Sequence, residues 1–264
     1  MGASDIDDGN ALYNQVYCNM KMWKCGPLSL LFVPPAKGGG MEINMQEIKV
    51  QFAVFFKQTE NRPDTLWYGF NDELKNIMES VPTIVPVPLE APAEIPIVQT
   101  KSNDNTFIIN ISRNRADFII NLLDRNVSRE RREYFFKLFL SEICKFKEII
   151  RVGIVEEVVM GEIISGVKCI NQKYFSGKQT DAIELSFRKN SNCTINDISC
   201  NNIVEIASVP ITNAEGEQEE GFVRIARDIN NVPSTKSLSK TDAEAIVIFA
   251  LGEYIEDHFR ELVL

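Results

Sequence analysis

The apolar positions of this chain switch between a period of two and a period near 3.6, and the switches mark out its elements. Ile43–Phe56 alternates in part, with Ile48, Val50, Phe52 and Val54 at every second position, and reads as a strand. Leu66, Phe70, Leu74, Ile77 and Met78 then recur at helical spacing. Asp64–Ser80 is therefore expected to be one helix, with Asp64 after Pro63 as its N-cap. Pro82, Pro86, Pro88, Pro92 and Pro96 punctuate the next stretch, which suits neither a helix nor a central strand and reads as an extended surface crossing. Thr106–Ser112 and Ala116–Leu123 form a hairpin joined at Arg113-Asn114-Arg115. Ser128 opens a long helix to about Lys147, with Phe135, Phe139, Ile143 and Phe146 on one face. Glu148–Met160, rich in Ile and Val, follows as a buried strand.

The order strand, helix, strand, strand, helix, strand is that of a ferredoxin-like domain. The expected fold class is α+β: a ferredoxin-like βαββαβ half over residues 41–160, then a β-rich half, 161–264, that is largely antiparallel and ends in a long C-terminal helix. In that second half Glu162–Phe175 reads as a short helix, and Ala182–Arg188, Ile203–Thr212 and Gly221–Ile229 as strands. Glu215, Glu217, Glu219 and Glu220 crowd a solvated hairpin tip between the last two. Thr241 and Glu244 form a capping box with Asp242 in the first turn, and Ile248, Leu251, Ile255, Phe259 and Leu262 run down one face of the final helix.

Residues 1–40 lack either period. They end in Lys37-Gly38-Gly39-Gly40-Met41, which a purine run of the kind bacterial ribosomes pair with can encode, followed by an in-frame start. The segment is expected to be a leader or arm outside the working protein, without packed core contacts. A natural arm and a secretory signal beginning at Met20 are the other readings. The signal reading is weakened by the shortness of Leu28–Val33 and by Pro27, Pro34 and Pro35 around it.

At 44% hydrophobic and 25% charged, the composition is that of a globular protein, and no apolar run reaches the length of a membrane span. A formal charge of −9 argues against general nucleic-acid binding but leaves room for a local basic patch. Cys144, Cys169, Cys193 and Cys200 fall into no metal-binding spacing, so free thiols in a reducing cytoplasm are expected, with no membrane association.

Candidate chemistry is thin. His258 is the only histidine, so Ser–His or Cys–His catalysis would have to run through it; near a helix end it suits the dipole instead. Ser176-Gly177-Lys178 echoes the end of a phosphate-binding loop, but Gln172 stands where the first glycine belongs. Pro63-Asp64 with Glu73-Leu74-Lys75 imitates a nuclease metal motif. On one helix, however, Glu73 and Lys75 would lie about 200° apart. No cofactor and no metal site is expected, and binding is favoured over catalysis. A metal-dependent nuclease or hydrolase using Asp64 and Glu73 is the alternative.

The strongest signal is arginine. Arg113, Arg115, Arg125, Arg129, Arg131 and Arg132 lie within twenty residues, half of the chain's twelve. Cations at a helix start oppose its dipole, so another requirement must hold them there. They are the candidate partner-binding residues, for a protein partner or nucleic acid, against the plain reading of a solvated face balanced by Asp117, Asp124, Glu130 and Glu133.

Several pieces together resemble an uncharacterised, sporadically distributed family of prokaryotic proteins. They are the strand Ile48–Phe55, the Pro-rich link ending at Glu94-Ile95-Pro96, the hairpin Phe107–Asn121, the run Phe146–Ile154 with Arg151-Val152-Gly153, and Thr241–Glu261 with its His258-Phe259. The likeness covers nearly all of Met41–Leu264. Where the family's strand ends in Arg-Tyr-Asn, this chain has Glu156-Glu157. The family brings no activity and no catalytic residues. Its distribution implies an accessory role in a mobile-element or defence system.

Overall fold

The computed structural model describes residues 45–123, 125–161, 165–179, 181–212, 218–252, 259 and 261–262. The expectations for residues 1–40, for Glu215 and Glu217, and for His258 lie outside them. The elements are β1 (Met45–Phe56), α1 (Pro63–Gly69), α2 (Asp72–Met78), β2 (Thr83–Ile84), β3 (Val98–Lys101), β4 (Phe107–Ile111), β5 (Arg115–Asn121), α3 (Arg129–Cys144), β6 (Ile149–Met160), α4 (Gly166–Phe175), β7 (Ser186–Ile195), β8 (Ile198–Thr212), β9 (Gln218–Asn231) and α5 (Lys240–Gly252). This is a mixed α/β architecture around one large antiparallel sheet of nine strands, in the order β2-β3-β4-β5-β1-β6-β9-β8-β7. The described residues up to 210 and from 220 form one compact unit; Ile211–Thr212 and Gln218–Glu219, at the ends of β8 and β9, group outside it.

β1 lies at the centre of the sheet. It pairs with β5 on one side (Phe52 opposite Phe118) and with β6 on the other (Phe52 opposite Ile154). The side chains of Val50, Phe52, Val54, Phe118, Ile120, Val152 and Ile154 therefore share one face, and all are buried. α3 lays its aromatic stripe on that face. Phe136 and Phe139 stand 5.2 and 6.2 Å from the Phe52 ring centroid, and Phe135, Phe136 and Phe139 all lie within 6.2 Å of Phe118.

The single helix expected over Asp64–Ser80 is two helices. Phe70 turns extended (φ −66°, ψ 154°), and the Asn71 side chain accepts the Leu74 N–H at 3.0 Å, capping a new start. An asparagine ahead of two acids is a better N-cap than a mid-helix residue, so the local bond wins over continuation. The first cap is likewise Arg62 rather than Asp64. The break is held from α3: buried Glu142 accepts the Asn71 N–H at 3.1 Å. Phe146, expected on the buried stripe, lies past the end of α3 and presses on Gly69, where a Cβ would come within 2.6 Å of the ring.

In the second half Ser165 caps α4, whose Ile170 joins Val158, Met160, Ile206, Val223, Ile225 and Phe259 in a smaller apolar cluster. Tyr174 stacks on Phe187 of β7 at 4.0 Å. β7 begins at Ser186, later than expected, and runs on through polar residues to Ile195. α5 is capped by Ser239: its Oγ accepts the Asp242 N–H at 3.1 Å and donates to Asp242 Oδ2 at 2.6 Å. The cap thus lies two residues before the expected Thr241. The buried stripe is Ala243, Ile246, Val247, Ala250 and Leu251, while Ile248 is 44% exposed.

Candidate functional site

The six arginines divide between the two ends of β5, a strand roughly 20 Å long. At the hairpin end, Arg113 donates to the carbonyls of Leu89 (2.6 Å) and Ala91, and its N–H to that of Ala93 (3.0 Å). It thereby fastens the proline crossing to the turn. Arg115 donates from Nε to Asp117 Oδ2 at 2.9 Å and lies over the Phe55 ring, 5.6 Å from its centroid. Both are buried.

At the other end four arginines gather around the start of α3, and their partners show what offsets the unfavourable dipole. Arg132 sends Nη1 to both Glu47 oxygens, at 2.6 and 2.7 Å, and Nε to the Val127 carbonyl at 2.7 Å. The Arg129 guanidinium reaches Gly252 of α5, where a Cβ would meet its Nη2 at 2.9 Å. Arg131 packs over Phe135 at 5.4 Å, and Arg125 faces Asp104 at 3.7 Å with both side chains exposed. Arg125, Arg129 and Arg131 are exposed; Arg132 is not.

Beside this end lies an open depression of about 450 Å³. Met45, Leu122 and Leu123 contribute apolar atoms, and Gln46, Glu47, Arg125, Asn126 and Arg132 line the rest. Burial pushes the Glu47 carboxyl above its ordinary range, against the pull of Arg132.

Deeper on the same face of the sheet, Glu156 of β6 stands opposite Arg227 of β9, between the main apolar cluster and the smaller one. Both residues are buried, and Arg227 donates to Asn202 at 3.3 Å. Glu156 Oε1 has no hydrogen-bond partner. Burial first, and the Glu47 charge second, lift its pKa to about 7, with Arg227, Arg132 and Arg129 opposing. A carboxyl whose folded pKa exceeds its unfolded value favours folding in its protonated form. Stability from this group is complete below the ordinary value near 4.5 and falls as pH rises to about 7. The whole loss is about 3 kcal/mol. Glu156→Gln should remove that slope. In urea titrations the variant gains on the parent between pH 4.5 and 7, and a pH-independent difference would contradict the assignment.

The opposite face of the sheet carries no described helix and holds residues that hydrophobic patterning missed. Phe55 lies between Arg115 and Arg151, which face it from β5 and β6, with Arg151 at 5.1 Å from the ring centroid. Arg151 donates to Asn230 Oδ1 at 2.8 Å; Asn230 in turn donates to Asp228 at 2.8 Å and accepts from Asn201 at 3.1 Å. Their signal in the sequence is polar residues at alternate positions of otherwise apolar strands, which reads as solvent exposure although these residues are buried.

The enzyme-like patterns dissolve into local structure. Asp64 accepts two hydrogen bonds from Arg62, at 3.0 and 2.8 Å, which hold its carboxyl below the usual range. Glu73 accepts from Tyr134, and Lys75 donates to the Tyr68 carbonyl at 2.8 Å. Asp64 and Glu73 stand on separate short helices, and no group of three potential ligands for a metal occurs among the described residues. Ser176 and Gly177, both at positive φ, close the C-terminus of α4 with Gly177 N–H on the Asn171 carbonyl. The Cys200 thiol is pushed up to about 12 by burial, with Cys193 directly across the β7–β8 ladder. No described helix is long and apolar enough to cross a membrane.

No protein-family profile matches the chain, and no curated protein matches it. Among solved structures, a rolling circle replication initiator protein from Geobacillus stearothermophilus is similar over 83% of this chain and 84% of its own, at 9% identity and a TM-score of 0.31. A likeness that slight carries no argument about chemistry.

Proposed function

We propose that this protein acts by binding a macromolecular partner, and that the partner is a polypeptide segment seated in the depression at the start of α3. The observation that carries this reading is the mainly polar depression, edged by Met45 and Leu123, beside the exposed Arg125 guanidinium. Arg129 and Arg131, exposed on the first turn of α3, extend the cationic margin. The matching chemistry is a leucine or methionine flanked by carboxylates, which fills the depression and pairs with the rim. Glu47 and Asp104 beside the same arginines disfavour a phosphate backbone. In this proposal Arg132 supports the site from within through Glu47 and Val127, while Arg113 and Arg115 fasten the hairpin at the far end of β5 and take no part in it. The order β4-β5-β1-β6, antiparallel throughout, supports taking residues 41–160 as the ferredoxin-like half that carries the site and 161–264 as a β-rich addition. The setting we propose is a cytoplasmic accessory of a mobile-element or defence system.

Selection from a phage-displayed random peptide library on the immobilised full chain tests this. It should enrich Leu or Met next to Asp or Glu, and the enrichment should vanish with Arg125→Glu/Arg131→Glu. Absence of a consensus, a consensus that survives the substitutions, or tighter and salt-dependent binding of a single-stranded oligonucleotide overturns the reading.

A further inference from the structure

The β7–β8 hairpin sets two thiols face to face. Its strands are joined by Asn196-Asp197, with φ of 46° and 63°, the left-handed pair of a two-residue type I′ turn. The ladder runs unbroken from Ile195 opposite Ile198 to Ser186 opposite Ala207, and Cys193 falls directly opposite Cys200. In such a turn the flanking residues exchange both of their hydrogen bonds. Two steps back from Ile195 and Ile198, the cysteines are again a mutually bonded pair, with Cα atoms about 5.5 Å apart and both side chains on one face. Disulfides most often span that same Cα separation. The Cβ atoms of directly opposed residues stand about 5 Å apart, against about 3.8 Å in a relaxed bridge, so closure needs the strands to draw in by roughly 1 Å. β7 can make that movement, because it is the terminal strand of the sheet and among the described strands is laddered to β8 alone.

The two sulfurs differ in access. Cys200 is fully buried in the main apolar cluster, and Cys193, half-buried, packs at the margin of that cluster. We infer that Cys193 and Cys200 form a reversible disulfide, with Cys193 as the attacking sulfur and Cys200 as the resolving one. The oxidant is a low-molecular-weight disulfide of the glutathione class. A Cys193 thiolate attacks one sulfur of that disulfide, forming a mixed disulfide and releasing the other half, which takes up a proton as a thiol. Cys200 then gives up its proton, and its sulfur attacks the Cys193 sulfur. The second half leaves as a thiolate and takes that proton. Two protein thiols are oxidised, and one small disulfide is reduced to two thiols. The Cys200 thiol, pushed up to about 12 by burial first and by the Cys193 charge second, is a poor first attacker. The mixed disulfide removes the second influence, since its sulfurs carry no charge. Strain in the closed bond favours its reduction, which makes the link reversible. Cys144 and Cys169 stand on separate helices, α3 and α4.

Incubation of the folded full chain with glutathione disulfide, followed by alkylation and peptide mapping, tests this. The expected product is an intramolecular link between the Cys193 and Cys200 peptides, with Cys144 and Cys169 in no protein disulfide. Reduced glutathione should reverse it. Cys200→Ser should instead accumulate glutathione on Cys193, whereas Cys193→Ser should leave Cys200 reduced. Recovery of both peptides fully alkylated overturns the inference, as does a parent chain that keeps glutathione on Cys193 without closing the link. A link that forms only in urea, or that joins either residue to another cysteine, overturns it as well. So does glutathione on Cys200 of the Cys193→Ser chain. The parent chain carries the main test, so a serine variant that misfolds leaves the outcome decisive.

Discussion

Phe118→Ala should cost this protein about 3–5 kcal/mol, shifting its urea midpoint far below that of the parent. Phe118 is fully buried on β5, directly opposite Phe52 of β1 and Ile109 of β4. Its ring is shared by Phe107, Phe135, Phe136 and Phe139, all at centroid distances of 5.6 to 6.2 Å. Truncation removes every one of those contacts at once. The strands on either side are held by their ladders, so the hole cannot close by a simple shift, and the cost falls near the upper end for the substitution. Ile248→Ala is the control. Ile248 was an expected core position but stands 44% exposed. Its truncation should change stability by less than about 0.5 kcal/mol. Similar losses for both variants would mean that the aromatic layer is not where the core resides.

Arg132→Ala should be nearly as damaging, at about 3–5 kcal/mol, because it leaves Glu47 buried without its cation. The side chains are only 12% and 11% exposed, and Arg132 supplies both oxygens of Glu47 as well as the Val127 carbonyl. Two consequences separate this from a loss of packing. Glu47→Leu added to Arg132→Met should restore most of the stability, since an apolar pair of similar volume needs no solvation. The deficit of Arg132→Ala should also shrink at acid pH. Burial alone already lifts the Glu47 carboxyl, and removal of Arg132 withdraws the one influence that lowers it. Protonation then relieves the buried charge. A deficit that stays constant with pH, or a double variant as weak as the single one, would assign Arg132 a packing role only.

How far the sequence carried this picture depended on which side of an element faces water. β1, β4, β5 and β6 were legible because one face of each is apolar and buried, so alternation and burial coincide. α3 was legible for the same reason, with Ser128 marking its start. The α1–α2 break was not, since Leu66, Phe70 and Leu74 keep helical spacing across it and only Asn71 signals a new cap. β7 was half missed because residues 188–192 are exposed, and such a strand carries no hydrophobic signature. The arginine cluster was visible as a run of residues, but its division between two ends of β5 follows from the hairpin direction. The Phe55, Arg151 and Asn230 group draws on β1, β6 and β9, residues far apart in the chain that only the sheet order unites.

The central position of β1 has a consequence during synthesis. It is the first strand described, yet its partners arrive late: Phe52 meets Phe118 only after β5 is made, and Ile154 only after β6. At translation rates of about 5–20 residues per second, the second edge of β1 waits roughly 5–20 s beyond its own emergence. Through that interval Val50, Phe52, Val54 and Phe56 form an apolar strip with an unsatisfied backbone edge. The nascent chain is then most vulnerable to mispairing, and a holdase that shields extended apolar segments would find its target there.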